Sequence, residues 1–420
     1  MKTEASSSSL RRLPPAWSIV LGGAVSLAVA MGIGRFAFTP LLPMMIHDGV
    51  LNLSFGSTLA SANYLGYLLG AVLCMGLPQL WSSATITRWG LVLTAVLTFA
   101  MLASNQFSWI IVRFLAGIIC SVVLVHTSKW TLALLTEQGK GQLGSIMFVG
   151  VGLGITLSGF IVSAMVQWHW SSHTGWLSFG IIASVLVALT WRLFLTDEPN
   201  PVKNHPILAQ QPDEKTNWYE MSLFSLAYGF AGFGYIITAT YLPVIARDTL
   251  PASASFWLDL FWPAFGLAAV VGSIVATRLG RLKDPRLALT ICYLMEGAGV
   301  IGAMIVPTVS GFFISSFLAG LPFNAINFFT MQEVMRLRPS QAARYMGLLT
   351  ALFSIGQIAG PPMVNYILQS APSAQYGFSL SLKIAAGFLF VGAVIFVLLS
   401  RIWPIVKKEP NNCQCDSDNA

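Results

Sequence analysis

The chain has 420 residues, 55% of them apolar and only 9% charged, where a soluble domain carries roughly 25% charged residues. That balance excludes a soluble enzyme, and the net charge of +7 does not indicate nucleic acid as a partner, because the basic residues stand singly between apolar runs. The five cysteines form no disulfide framework: Cys74, Cys120 and Cys292 lie inside apolar segments, and Cys413 and Cys415 are an isolated Cys-x-Cys in the C-terminal tail.

Residues 1–16 form a polar N-terminal tail. No small-residue cleavage site follows the first apolar run, so that run is expected to stay as a span. A spanning helix needs about 20 apolar residues to cross about 30 Å of hydrocarbon. Runs of that kind fall at 17–45, 55–77, 89–104, 107–128, 144–166 and 176–195 in the first half. The second half has them at 219–245, 256–279, 287–307, 311–335, 344–368 and 378–403. Helices are expected because every backbone polar group must be satisfied within the span. Between the halves, Thr196–Trp218 is rich in proline and mixed charge and reads as a linker. The expected architecture is an all-α membrane protein with twelve transmembrane helices in two six-helix bundles, 17–195 and 219–403, followed by a tail at 404–420. With the N-terminus placed in the cytoplasm, 19 of the 23 Lys and Arg residues fall in cytoplasmic loops, tails or helix ends. That is the positive-inside pattern, with both termini cytoplasmic. Arg35, Arg113, Arg247 and Lys383 are the exceptions, and Lys383 is expected to reach outward to the interface.

The two halves repeat one another. Gly32–Asp48 reads GIGRFAFTPLLPMMIHD and Gly232–Asp248 reads GFGYIITATYLPVIARD, so the Gly-x-Gly pairs align, as do Leu42 with Leu242, Pro43 with Pro243 and Asp48 with Asp248. Phe114–Gly117 recurs as Phe317–Gly320, and Gly66 matches Gly266. A parallel duplication of this kind encloses a cavity at the midplane between its halves. The alternative is independent use of glycine for helix packing.

Within the repeat, Tyr235 stands where the first half has Arg35. An arginine this deep costs at least a few kcal/mol unless it faces a polar interior. It is therefore the leading substrate-contact candidate, a guanidinium offering paired donors to a carboxylate or phosphate. The alternative is an arginine that reaches the outer interface or pairs with Asp48. Pro40 and Pro43 are expected to kink or end the helix just beyond it. Arg113, at similar depth on the fourth run, is a second anion contact, a charge that modulates a nearby acid, or a structural arginine. Asn63, Tyr64, Tyr235, Thr238, Asn324, Asn327 and Gln357 interrupt apolar helices and could line the same cavity as substrate contacts, although such a residue taken alone is more often helix-to-helix glue. Glu296 is the acid expected near mid-membrane and a candidate proton carrier, with a carboxyl bonded to nearby backbone as the alternative. His126 is a second proton-coupling candidate, against a local hydrogen bond near a helix end.

No phosphate-binding loop, Gly-x-Ser-x-Gly or metal-spaced His/Cys set occurs, so neither enzymatic activity nor a cofactor or metal is expected. Gly150, Gly152 and Gly154 are expected to serve close helix packing. Arg113-Phe-Leu-Ala-Gly117 and Thr277-Arg-Leu-Gly-Arg281, on a twelve-span plan, resemble the major facilitator superfamily. Thr277 stands where that family's gating motif has an aspartate, and Pro78–Arg88 keeps almost none of the motif in the first half. GIGRFAFTPLLPMM and Gly356-Gln-Ile-Ala-Gly-Pro361 resemble its YbfB/YjiJ-like branch. The resemblance implies a bacterial inner-membrane carrier. The expected function is secondary active transport of a small solute, foremost an organic anion, by alternating access with proton coupling, in a monomer embedded in the lipid bilayer. Export of drugs or metabolites is the rival within transport, and a non-transporting membrane sensor is the rival outside it.

Overall fold

The computed structural model describes residues 14–76, 80–103, 105–195, 218–249, 260–279, 282 and 284–405. The expectations for the tails, most of the linker, Cys413, Cys415, Gly280, Arg281 and the side chains of Leu242, Pro243, Arg247 and Asp248 lie outside the described residues.

The apolar runs form helices that alternate in direction. The first half contains α1 (Ala16–His47), α2 (Leu53–Gly76), α3 (Ser83–Ala100), α4 (Gln106–Glu137), α5 (Gly141–Gln167) and α6 (Ser172–Phe194). The second contains α7 (Trp218–Thr249), α8 (Phe261–Leu279), α9 (Pro285–Ile305), α10 (Val309–Leu337), α11 (Ala342–Ser370) and α12 (Ala374–Ile402). Among the described residues, 11 helices are long and apolar enough to cross a membrane. The remaining one, α9, is 21 residues long. The protein is an all-α, multi-pass membrane protein.

Two boundaries differ from the apolar runs for a physical reason. Helix α4 continues to Glu137, beyond the expected end at 128, because Thr127, Ser128 and Thr131 are buried against neighbouring helices rather than leaving the bilayer. Helix α3 begins at Ser83, six residues before its apolar run, because Ser82 caps it through a bond from Thr85 N–H to Ser82 Oγ at 3.3 Å.

The largest departure is in α1. Neither Pro40 nor Pro43 ends the helix; both sit within its last part, Phe38–His47. The irregularity comes earlier, as a π-helix over Ala28–Phe36.

Close packing holds this segment in place. A Cβ on Gly32 would lie 2.5 Å from Gly154 Cα, so α1 and α5 meet backbone to backbone. A Cβ on Gly66 would overlap the Phe114 carbonyl in the same way, which sets the distance between α2 and α4. The halves meet along α5 against α8 and α2 against α11. One apolar core lies within the first half, around Val29, Trp130 and Phe179. A larger one runs from the second half across to Met31, Tyr67 and Leu124.

Most basic residues of the helices lie at the end where α1 begins, called here the basic end. In the second half that end is tied together by Arg286, which has no exposed side-chain surface. Its guanidinium meets Asp284 at 2.9 Å and Glu220 at 3.1 Å, with Glu333 at 3.9 Å. It also donates to the Leu399 carbonyl at 3.0 Å and the Trp403 carbonyl at 2.7 Å. Arg336 holds the other side of Glu333 at 2.6 Å. The cluster joins α7, α9, α10 and α12.

Candidate functional site

The π-helix begins the site. The segment over Ala28–Phe36 interrupts the regular α-helical ladder, and buried backbone carbonyls take additional partners. Arg113 of α4 supplies two, with Nη1 donating to the Gly34 carbonyl at 3.1 Å and Nη2 to the Arg35 carbonyl at 3.3 Å. Its guanidinium also lies 4.6 Å from the Phe38 ring centre. The Arg113 carbonyl in turn accepts from Asn63 Nδ2 of α2 at 3.0 Å.

Held in this way, the Arg35 side chain turns toward the second half. Arg35 is 4% exposed and Gln357, on α11, 1% exposed. Arg35 Nη2 donates to Gln357 Oε1 at 2.7 Å. The guanidinium carbon lies 4.2 Å from the Tyr67 ring centre and 5.5 Å from those of Tyr64 and Phe36, a cation–π cage. Nε and Nη1 have no hydrogen-bond partner among the described residues. The ionisable groups that act most strongly on Arg35 are Tyr67, Cys120, Tyr235 and Tyr64, none of them a carboxyl. Neither Arg35 nor Arg113 forms an ion pair among the described residues. Asp48 accepts instead from the Ser172 N–H at 2.6 Å, at the start of α6.

The structure thus gathers Arg35, Arg113, Asn63, Tyr64, Tyr235 and Gln357 around one point. The other candidates lie apart from the guanidinium. Thr238 donates to the Gly234 carbonyl of its own helix at 3.1 Å. Asn324 donates to the Phe148 carbonyl at 2.8 Å, joining α10 to the start of α5. Asn327 accepts from Tyr228 Oη at 2.5 Å. His126 Nδ1 lies 3.2 Å from Ser83 Oγ near the basic end.

Glu296 is buried, and its Oε2 has no partner among the described residues. Its electrostatic neighbours include Tyr235 on α7 and Cys292 and Tyr293 one turn away on α9. Lys383 is exposed on α12.

Several residues of the site were not singled out from sequence. Tyr67 follows Tyr64 by three positions and Asn63 by four, which places it on the same face of α2, so that spacing was a usable signal. Phe353 precedes Gln357 by four positions on α11 in the same way. Cys120, which donates to Met31 Sδ at 3.1 Å, carried no signal beyond its type. Tyr235 stacks on Phe323 with ring centres 4.5 Å apart and planes at 27°. Phe353 lies 6.2 Å from it at 22°, and Phe265 6.1 Å at 38°.

The family described as "Uncharacterised MFS-type transporter YbfB" matches residues 27–397 of the chain. Among curated proteins, the chain is 23% identical over 402 residues to the uncharacterized MFS-type transporter YceJ of Bacillus subtilis, covering 91% of this chain and 95% of that one. It is 24% identical over 380 residues to YfkF of the same organism, covering 87% and 93%. It is 21% identical over 330 residues to a protein of Corynebacterium glutamicum named gentisate transporter, covering 74% and 72%.

Proposed function

The chain belongs to the YbfB family of MFS-type transporters, which are carriers rather than enzymes, and from that premise we propose that it moves a small organic anion by alternating access, coupled to protons. One observation carries the anion reading. Arg35 is a buried guanidinium between the halves with two nitrogens unpaired and no acid beside it. A cation so placed is costly until an anion reaches it, and the polar side chains against it, Gln357 at 2.7 Å with Tyr67 and Cys120, are neutral and displaceable. The relative named for gentisate, itself an organic anion, favours the same reading.

In the cycle the six-helix units 17–195 and 219–403 rock about the site, so that parting of Arg35 from Gln357 accompanies opening. Arg35 is the primary substrate contact, and Tyr64, Tyr235 and Gln357 complete its surroundings. Arg113, Asn63, Thr238, Asn324 and Asn327 hold or border the cavity. Glu296, with Tyr235 in electrostatic reach of both it and the arginine, carries the proton. His126 is the second candidate for that role. The distribution of lysine and arginine supports both termini in the cytoplasm, and we place the protein in the inner membrane as a monomer.

The test is uptake of labelled carboxylates into proteoliposomes. Arg35→Gln is expected to fold and to lose uptake, and unchanged uptake by that variant would remove the site assignment. Glu296→Gln is expected to keep counterflow while losing the response to an imposed pH gradient. An undiminished response in that variant would place the proton elsewhere.

A further inference from the structure

We infer that the anion taken here is a planar aromatic carboxylate, its carboxylate on Arg35 and its ring against Tyr235, Phe265, Phe323 and Phe353. The inference rests on the anion reading and extends it to the chemistry of the rest of the molecule.

The free donors set the carboxylate anchor. Arg113 has committed Nη1 and Nη2 to the carbonyls of Gly34 and Arg35, which leaves its Nε unpaired among the described residues, whereas Arg35 leaves both Nε and Nη1. Arg35 is therefore the cation with more donors to spare and the primary carboxylate anchor.

The wall sets the remainder. Four helices, α7, α8, α10 and α11, each bring one ring to the same place. The Tyr235 plane departs from those of Phe353, Phe323 and Phe265 by 22°, 27° and 38°. The rings are buried and stack on one another at 4.5–6.2 Å between centres, an interior that a flat ring enters by offset stacking as the halves part, better than a puckered or branched group.

Anchor and wall are also at the right separation. Phe353 and Gln357 are four residues apart on α11, about one helical turn or 5.4 Å along the axis. Gln357 marks where an acceptor meets Arg35 Nη2. A carboxylate taking that place while also accepting from the unpaired Nε has a directly attached ring at the level of Phe353 and Tyr235. A long alkyl spacer would carry the ring past them.

The test measures binding of benzoate, cyclohexanecarboxylate and butanoate to the purified full-length protein by calorimetry. The first two share charge and size and differ in planarity and aromatic faces. Benzoate is expected to bind on the order of tenfold more tightly than cyclohexanecarboxylate, the scale of one to two stacked pairs, with butanoate weakest. Phe353→Leu is expected to bring the ratio toward one, and Tyr235→Phe to preserve it. Equal affinity of wild type for benzoate and cyclohexanecarboxylate overturns the aromatic inference and leaves the anion reading standing. Absence of carboxylate binding, or binding unaffected by Arg35→Gln, removes the anion reading itself. The wild-type comparison decides the matter even if a wall variant does not fold.

Discussion

The two halves share a Gly-x-Gly and Leu-Pro frame, yet they place their buried charge at opposite depths and treat it in opposite ways. In the second half, Arg286 is fully buried at the basic end and meets Asp284, Glu220 and two carbonyls. In the first half, the basic end is joined by neutral contacts such as His126 with Ser83 and Thr87 with Thr127 at 3.3 Å. Its buried charge lies at the site instead, where Arg35 has one neutral acceptor. The difference separates two uses of arginine. A guanidinium whose donors are all met locks helices together; one whose donors are left open is kept for a ligand.

That contrast can be broken from either side. Arg286→Met is expected to have the largest effect, about 3–5 kcal/mol of destabilisation, because it leaves the buried Glu220 and the half-buried Asp284 without their shared cation. The loss should show as failure to recover monodisperse protein, or as a much lower thermal midpoint. Arg35→Gln is expected to do the reverse, with a thermal midpoint at or above wild type and carboxylate affinity lower by about 10- to 100-fold, the loss of a charge-assisted bond. Arg113→Lys falls between. A point charge cannot serve both the Gly34 and Arg35 carbonyls, so about 1–3 kcal/mol of stability should be lost, and carboxylate affinity with it.

The smallest effect lies at the end opposite the basic one. Burial raises the Asp48 pKa, but the hydrogen bonds from Ser172 outweigh it and hold the carboxyl below its ordinary value. The tether to α6 is therefore fully present above the ordinary aspartate range and is lost as pH falls through the depressed value. Hydrogen exchange near Ser172 should rise over that acidic window, and Asp48→Asn should flatten the dependence.

Much of the frame was legible because a bilayer permits little else. Apolar runs of the required length, a proline-rich polar break and singly placed arginines translate directly into spans, halves and an outlying charge at Arg35. The register of α1 was not legible, because it depends on a donor 78 residues away, from Arg113 to the Arg35 carbonyl. The aromatic wall was hidden for another reason. In helices apolar on every side, periodicity does not distinguish a ring facing lipid from one facing the cavity, and 27 phenylalanines offered no contrast. Arg286 was read as a topology signal at a helix end, which is true of its position and silent about its acids. Those acids come from α7, the turn before α9 and α10, and only folding brings them together.

The bond between Arg35 and Gln357 has a thermodynamic consequence. It belongs to the empty protein, and a carboxylate reaching Nη2 must replace it. Measured affinity is then intrinsic affinity multiplied by the fraction of molecules in which the two residues have parted. Gln357 acts as a competing ligand supplied by the protein itself, present at an effective concentration set by helix packing rather than by the surrounding solution.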